Sequence, residues 1–337
     1  MPTLQDKFRG CLLGAMIGDV IGAPVEAESP GYIASTYRSI DDILATESVE
    51  EFNAPDWTVG RYTDDTQMTI CVAEWLIADP PQSPERLLAR FHHAHEPWRR
   101  YGAGTEMIFR LYMKHASRWT ELATAMFPHG SYGNGGAMRV APIGLACFND
   151  PKQLKTLAIE SSRPTHSHPL AYQGAVLQAM AVATAVRSNE FSVGAFLHPM
   201  RDALKPFAEL LQDTSRFEKA LSAIEQGLGR GASCSELSQI VGTGVEVYEA
   251  VPMALYCFLR HPDSFEKVIH EAVFMGGDTD TIASMAGAIS AAYLGKAAIP
   301  ERWLRAVRED KYPSSAIERL ADQLFAKYAT DPTRSYN

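Results

Sequence analysis

Two clusters of aspartate and threonine each stand directly before an apolar stretch of the sequence. They read TDDT at residues 63–66 and DTDT at residues 278–281. Helix capping explains one Asp or Thr in each cluster, because both residues are favoured N-caps and acids favour the positive helix end. Capping does not explain two carboxylates so close together, since their repulsion needs a counter-charge. A hard divalent cation would supply it through carboxylate and hydroxyl oxygens.

A third acidic source lies near the N-terminus, in the segment GDVIGAPVEAE at residues 18–28. Asp19 and Glu26 flank glycines that permit close backbone approach. Glu28 competes with Glu26 for the same role, and spacing does not separate the two. With the two clusters, this segment offers enough oxygen ligands for two ions, which can share carboxylates and hold a water between them.

The segment GSYGNGGAMRVAPIGL at residues 130–145 has four glycines within its first seven residues. Ser131, Tyr132 and Asn134 lie between them. Backbone N–H groups made accessible by glycine can hold phosphates, especially ahead of a helix. A tight packing turn explains this segment equally well, and it matches neither a Walker A loop nor a Rossmann fingerprint.

Two shorter segments carry weaker signals. RYGAGTEM at residues 100–107 contains Gly102 and Gly104, for which an ordinary turn is the alternative. His166 and His168 precede an apolar stretch, where a histidine is more often a cap or a core residue; beside a phosphate, either could be a neutral hydrogen-bond donor. Together with the acidic clusters, these segments indicate hydrolysis at a diphosphate-containing, nucleotide-like ligand, and leave open which bond breaks.

The elements that must position these residues are predicted to be helices. Apolar residues recur at helical spacing over 66–78, and Ser83-Pro84 and Asp150-Pro151 are typical helix starts. Long apolar helices are predicted over 168–186 and 247–260, with Pro252 as a kink or first-turn residue, and two more helices end at glycines. Strand patterns are poor, so the sequence predicts a compact all-α bundle.

Composition narrows the class of protein. The net charge of the 337 residues is −9, which does not favour binding to nucleic acid. The five cysteines are widely spaced, as in a cytosolic protein with reduced thiols. Asp19 interrupts the signal-like CLLGAMIG, and the apolar stretch after Thr281 is too short for a membrane span. We therefore expect a cytoplasmic monomer without membrane contact, built as one domain over 1–337 in which the polar residues 188–240 could be a peripheral helical excursion.

The chain resembles the ADP-ribosylglycohydrolase family. The resemblance rests on four blocks in order, GDVIGAPVE, YTDDTQM, GNGGAMRVAP and GGDTDTIASMAGAI, and extends from about residue 8 to about residue 305. It implies an all-α orthogonal bundle with a binuclear Mg²⁺ or Mn²⁺ centre that cleaves the glycosidic bond at C1″ of ADP-ribose. RYGAGTEMIFRL and THSHPLAYQGAVLQAMAV are similar to the branch that acts on ADP-ribosyl-serine and poly(ADP-ribose).

The resemblance also implies residue roles. The implied metal ligands are Thr63, Asp64, Asp65, Asp278, Asp280, Thr281 and Glu26. Glu26 would be a ligand or the carboxylate that gates the site and assists proton transfer, and Asp278 or Glu26 would accept a proton from the attacking water. The implied substrate-binding residues are Gly102, Gly104, Phe127, Ser131, Tyr132, Gly133, Asn134, Gly135 and His166. Phe127 would stack on adenine, whereas His168 stands where the branch often has serine and receives no role.

Three other functions are compatible with parts of this pattern. The first is hydrolysis of ADP-ribosyl-arginine within the same family. The second is a non-catalytic, crystallin-like member, which loss of Asp64, Asp65, Asp278 or Asp280 would have favoured. The third is a metal-dependent phosphohydrolase acting on nucleotides. The expected substrates remain ADP-ribose-bearing proteins or the ADP-ribose polymer.

Overall fold

The computed structural model describes residues 1–46, 58–78, 82–210, 212–309 and 311–329. These residues form α-helices, short 3₁₀ turns and connecting loops. The β contact among them is an isolated antiparallel bridge between Gly133 and Glu246. The predicted all-α fold is therefore confirmed.

Nine helices lie in the first half of the described chain. They are α1 (Leu4–Gly22), α2 (Pro30–Thr36), α3 (Ile40–Leu44), α4 (Asp64–Ile77), α5 (Pro84–Ala94), α6 (Ala103–His115), α7 (Trp119–Leu122), α8 (Gly135–Met138) and α9 (Ala141–Ala146). Three 3₁₀ turns occur in the same half, at Ala23–Val25, Pro97–Arg99 and Ala116–Arg118. The glycine-rich loop leads into α8, and the TDDT cluster opens α4.

Ten helices follow in the second half of the described chain. They are α10 (Pro151–Ser162), α11 (Pro169–Arg187), α12 (Val193–Glu209), α13 (Ser215–Arg230), α14 (Cys234–Val241), α15 (Val247–Arg260), α16 (Phe265–Phe274), α17 (Thr279–Leu294), α18 (Glu301–Ala306) and α19 (Ser314–Tyr328). A 3₁₀ turn at Lys296–Ala298 connects α17 to α18. The DTDT cluster opens α17.

Helices α1 and α17 form the central pair of the bundle. Gly10, Gly14, Gly18 and Gly22 recur every four residues on α1, so they share one face. A Cβ built on Gly18 would lie 2.0 Å from the carbonyl oxygen of Ala283, and the other three meet α17 backbone at 2.4 Å. The two backbones touch along this stripe, which brings the end of α1 beside the start of α17.

Several predicted helix boundaries agree with the structure. Ser83 caps α5 by accepting from the N–H of Arg86, and Asp150 caps α10 by accepting from the N–H of Gln153. Pro252 lies inside α15, beyond its first turn. The sequence pattern did not identify α1 or α6 as helices, because glycines recur along α1 and because Gly102 and Gly104 suggest a turn where α6 begins.

Helices α12, α13 and α14 occupy most of the segment that was expected to be a peripheral excursion. Phe196, Phe217 and Leu237 from these helices are buried in the main hydrophobic core. The segment is thus anchored to the core by apolar side chains. Its status as an excursion, and the single-domain organisation, stay predictions.

Two segments are long and apolar enough to cross a membrane by length and composition alone. They are Leu4–Val25 and Pro169–Arg187, and 94% and 83% of their apolar windows are buried inside the protein. Core helices of this kind pass the same test of composition. All five cysteines are buried free thiols.

Candidate active site

The two Asp-Thr clusters meet at the N-terminal ends of α4 and α17. Thr63 is the N-cap of α4, and its hydroxyl accepts a hydrogen bond from the N–H of Asp65 at 3.3 Å. Asp278 is the N-cap residue of α17. The hydroxyl of Thr281 donates to Oδ2 of Asp65 at 3.3 Å. Residues that are more than 200 positions apart in the sequence are therefore in direct contact.

Asp19 on α1 holds the TDDT cluster in place. Its Oδ1 accepts from the N–H of Thr63 at 3.0 Å and from the Thr63 hydroxyl at 2.9 Å. Its Oδ2 accepts from the N–H and hydroxyl of Thr66 at 3.0 and 2.5 Å. Asp19 is fully buried. The sequence offered it as an acidic neighbour of Glu26, and the structure shows it fixing the first turn of α4.

Glu26 reaches the DTDT cluster because its segment is bound to the loop before α17. The N–H of Ala27 donates to the carbonyl of Gly277 at 2.8 Å, and the N–H of Gly277 donates to the carbonyl of Glu28 at 3.2 Å. Carboxylate oxygens of Glu26, Asp278 and Asp280 lie within 4.8 Å of one another. This geometry favours Glu26 over Glu28 as the third acidic residue, since Glu28 accepts the Gly277 hydrogen bond through its backbone carbonyl and its carboxylate is not in this group.

Arg100 is a cation at the acidic centre that the sequence did not single out. Its guanidinium forms an ion pair with the carboxylate of Glu26 and donates to the carbonyl of Ala23 at 2.7 Å. The backbone of Arg100 has a φ of +66°, in the left-handed region that non-glycine residues seldom adopt. In the sequence, Arg100 is distinguished only by its place directly before the YGAG motif, and that place does not predict an ion pair with Glu26.

Crowding of these carboxylates changes their proton affinity. Burial, followed by the negative charge of Asp280, raises the pKa of Glu26 to about 8 and that of Asp19 to about 7. The same two causes raise the pKa values of Asp64, Asp65 and Asp278 well above the usual range. Among the described residues, the buried Oδ1 of Asp65 has no hydrogen-bond partner. Both observations fit a site that is completed by a cation.

A cleft of about 280 Å³ opens over these acids. Most of the predicted site residues line it: Glu26, Asp64, Asp65, Asp278, Asp280, Thr281, Gly102, Gly104, Phe127, Ser131, Gly133, Asn134, Gly135 and His166. Two predicted residues do not. Thr63 is fully buried under the acids, and the Tyr132 ring lies outside the cleft against His168 and Tyr248.

The glycine-rich loop crosses one wall of the cleft and is held at both sides. The N–H of Asn134 donates to the carbonyl of Val245 at 2.9 Å, and the N–H of Val247 donates to the carbonyl of Tyr132 at 3.1 Å. The side-chain amide of Asn134 donates to Oδ2 of Asp278. Asn134 therefore links this loop to the acidic centre.

His166 and Phe127 line the same cleft. The imidazole of His166 lies against the loop glycines, and a Cβ built on Gly135 would be 2.4 Å from its Cε1. Burial, with a smaller contribution from the charge of Arg139, lowers the pKa of His166 to about 3, so the ring is neutral at physiological pH. The Phe127 ring is 45% exposed and lies beside Gly104. The cleft thus combines acids, a neutral hydrogen-bond donor and an exposed aromatic ring.

Comparison with known proteins identifies the family. The sequence model of the ADP-ribosylglycohydrolase family matches residues 1–334. The chain belongs to the ADP-ribosylglycohydrolase family. Its sequence is 36% identical to the mouse (Mus musculus) ADP-ribosylhydrolase ARH3 over 325 residues, which cover 88% of this chain and 86% of that protein. The human (Homo sapiens) ARH3 is 35% identical, with 88% of each chain covered.

Two further similarities extend over nearly the whole chain. An uncharacterised protein of Archaeoglobus fulgidus is 31% identical over 96% of this chain and 97% of its own length. A solved structure described as an ADP-ribosylglycohydrolase-related protein complex superposes with a TM-score of 0.69 at 27% identity, covering 96% of this chain and 98% of the other. The predicted family and the prediction of an ADP-ribosylglycohydrolase enzyme are confirmed. The activity of this ADP-ribosylglycohydrolase is the hydrolysis of ADP-ribose conjugates.

Proposed function

We propose that this ADP-ribosylglycohydrolase depends on divalent metal ions and cleaves the C1″ glycosidic bond of oxygen-linked ADP-ribose conjugates. The substrates would be ADP-ribosyl-serine, poly(ADP-ribose) or O-acetyl-ADP-ribose, with release of ADP-ribose. The observation that carries the proposal is the convergence of the Glu26, Asp278 and Asp280 carboxylates within 4.8 Å, at the floor of the cleft.

Two ions, Mg²⁺ or Mn²⁺, would be held by oxygen atoms of the two clusters. The proposed ligands are Thr63, Asp64, Asp65, Asp278, Asp280, Thr281 and Glu26. All seven side chains carry carboxylate or hydroxyl oxygens, which are the ligands that these hard ions prefer. The ions would neutralise the crowded carboxylates, bind ribose hydroxyls and lower the pKa of the attacking water.

The remaining chemistry belongs to the protein. Gly102, Gly104, Ser131, Gly133 and Gly135 form the wall on which the diphosphate and distal ribose would lie, and close fit there would fix C1″ over the acids. Asp278 or Glu26 would accept the proton of the attacking water. The leaving serine or ribose oxygen needs a proton in return, which one of these carboxyl groups would supply.

The preference for oxygen-linked substrates is supported by sequence. The relatives at 31–36% identity include ARH3 proteins from mouse, cattle, human, chicken and zebrafish. The glycine-rich block and the THSHPLAYQG segment are also similar to the branch that acts on serine-linked conjugates and the polymer. Action as a cytoplasmic monomer, without nucleic acid or membrane, belongs to the same proposal.

The test compares defined substrates. Purified protein is incubated with serine-linked, arginine-linked and polymeric ADP-ribose in Mg²⁺ or Mn²⁺, and the products are identified by mass. Release of ADP-ribose from the serine or polymer substrate supports the proposal. Cleavage of the arginine substrate alone refutes the branch, phosphate release indicates a phosphohydrolase, and inertness toward all three indicates a non-catalytic member.

Metal dependence is tested with Asp280→Asn. We expect this substitution to abolish turnover and to weaken Mn²⁺ binding in calorimetry, because it removes a negative charge from the centre of the cluster. Asp322→Asn is the matched control, since Asp322 binds Arg9 and Gln5 at the surface, far from the cleft. Full activity of Asp280→Asn in excess EDTA would exclude the metal-dependent mechanism.

A further inference from the structure

A chain of hydrogen bonds leads from the protein interior to His166. The Nη2 of Arg139 donates to the hydroxyl oxygen of Thr165 at 2.8 Å, and that oxygen lies 2.8 Å from Nδ1 of His166. Arg139 is fully buried and Thr165 is 2% exposed. Arg139 also donates to the carbonyl of Ser161 at 2.8 Å, and its guanidinium lies over the Phe91 ring. The guanidinium and the hydroxyl are thereby held in one arrangement.

The hydrogens available in this series of hydrogen bonds decide which group donates and which accepts at each step. A guanidinium can only donate, so the Thr165 oxygen accepts from Arg139. Thr165 then has one hydrogen to place, and Nδ1 of His166 is its acceptor among the described residues. If Nδ1 carried the proton instead, the Thr165 hydrogen would be buried without an acceptor, which is unfavourable. The arrangement with Nδ1 as acceptor and the proton on Nε2 satisfies both groups.

The Nε2 atom faces the glycine-rich loop. It lies 3.4 Å from a Cβ built on Gly133 and 2.8 Å from one built on Gly135. Across the described parts of the chain, no protein group makes a hydrogen bond to this atom. Gly135 leaves no room for a side chain between its own backbone and the imidazole. An Nε2–H group there is available to an oxygen atom of a ligand in the cleft.

We propose that Thr165, oriented by Arg139, is a positioning residue that holds His166 as the Nε2–H tautomer, so that Nε2 donates to an oxygen of the bound substrate. The ligand part of this inference rests on the proposed function, whereas the tautomer does not. The buried positive charge of Arg139 also opposes protonation of the ring, so the donor stays neutral.

Histidine tautomers can be read directly by ¹⁵N NMR of the full-length protein. The His166 ring signals are assigned by their loss in His166→Gln. We expect wild type to show a protonated Nε2 and an unprotonated Nδ1. We expect Thr165→Val to shift this equilibrium toward the Nδ1–H form, and Thr165→Ser, which keeps the hydroxyl, to restore the wild-type signals.

Binding provides the second readout. We expect Thr165→Val to weaken ADP-ribose affinity by about tenfold in calorimetry, and Thr165→Ser to recover most of it. Thr184→Val is the matched control, because Thr184 is also a buried threonine and its hydroxyl has no partner among the described residues. It should change neither the His166 signals nor the affinity.

The outcomes separate this inference from the proposed function. An Nδ1–H tautomer in wild type overturns the inference even if Thr165→Val fails to fold. Unchanged His166 signals in folded Thr165→Val also overturn it. If wild type shows the Nε2–H tautomer but does not bind ADP-ribose, the tautomer assignment stands, while the ligand assignment and the proposed function fail together.

Discussion

Gly135→Ala tests whether His166 and the glycine-rich loop form a single binding wall. The added methyl group would lie 2.4 Å from Cε1 and 2.8 Å from Nε2 of the imidazole. Because carbon atoms in contact are normally about 3.5–4.0 Å apart, the ring must move by about 1 Å. The backbone of Gly135 does not have a positive φ, so the effect comes from the side-chain collision.

The size of the effect follows from the contacts of His166. A displacement of about 1 Å would stretch the 2.8 Å contact with Thr165 beyond hydrogen-bonding range. Loss of that bond costs about 1 kcal/mol and overpacking costs about 1–3 kcal/mol. We therefore expect the free energy of unfolding to fall by about 2–4 kcal/mol. ADP-ribose affinity should fall about tenfold or more, since Nε2 leaves its place.

The assays are urea unfolding and calorimetry with ADP-ribose. Gly229→Ala on α13 is the control for a Gly-to-Ala change in a helix, because a Cβ there meets nothing within 4 Å. It should keep the affinity and raise helix stability slightly. If Gly135→Ala matched Gly229→Ala in both stability and affinity, the proposed contact between His166 and the loop would be wrong.

Three more predictions concern the acids and the rim of the cleft. When a chelator removes the metal, the free energy of unfolding should fall by on the order of 1 kcal/mol between pH 6.5 and 8. Glu26 has a pKa of about 8 in the folded protein, so over this range the folded protein binds more protons than the unfolded chain. Denaturation at several pH values checks this, and Mn²⁺ should abolish the fall. Ala27→Gly should raise the free energy of unfolding by about 1 kcal/mol, because Ala27 has a φ of +66° and a left-handed backbone is strained in a residue with a Cβ. A lower melting temperature for this variant would contradict the strain. Phe127→Ala should weaken binding of ADP-ribose but not of ribose 5-phosphate, because an exposed ring can stack only on the ligand that carries adenine.

Local sequence patterns were sufficient for much of the helical framework. Helix α4 was predicted from apolar periodicity, α5 and α10 from the helix-start signals Ser83-Pro84 and Asp150-Pro151, and α11, α15, α16 and α17 from apolar segments. These signals work because caps and helical faces depend on residues within one or two turns. Helix α1 escaped this reasoning, since its glycine stripe is informative only when the facing helix is known.

The sequence alone determined which residues carry the chemistry: two Asp-Thr clusters, a glycine-rich loop and a short list of acids near the N-terminus. Only the tertiary structure decided how they are used. The contact between α1 and α17 brings Glu26 to Asp278 and Asp280, while the backbone carbonyl of Glu28 accepts a hydrogen bond from Gly277. The tertiary structure also brings Asp19 into hydrogen bonds with Thr63 and Thr66, and Arg100 into an ion pair with Glu26. These contacts join residues separated by 44 to more than 250 positions, and their choice depends on backbone approach and burial, which local spacing does not encode.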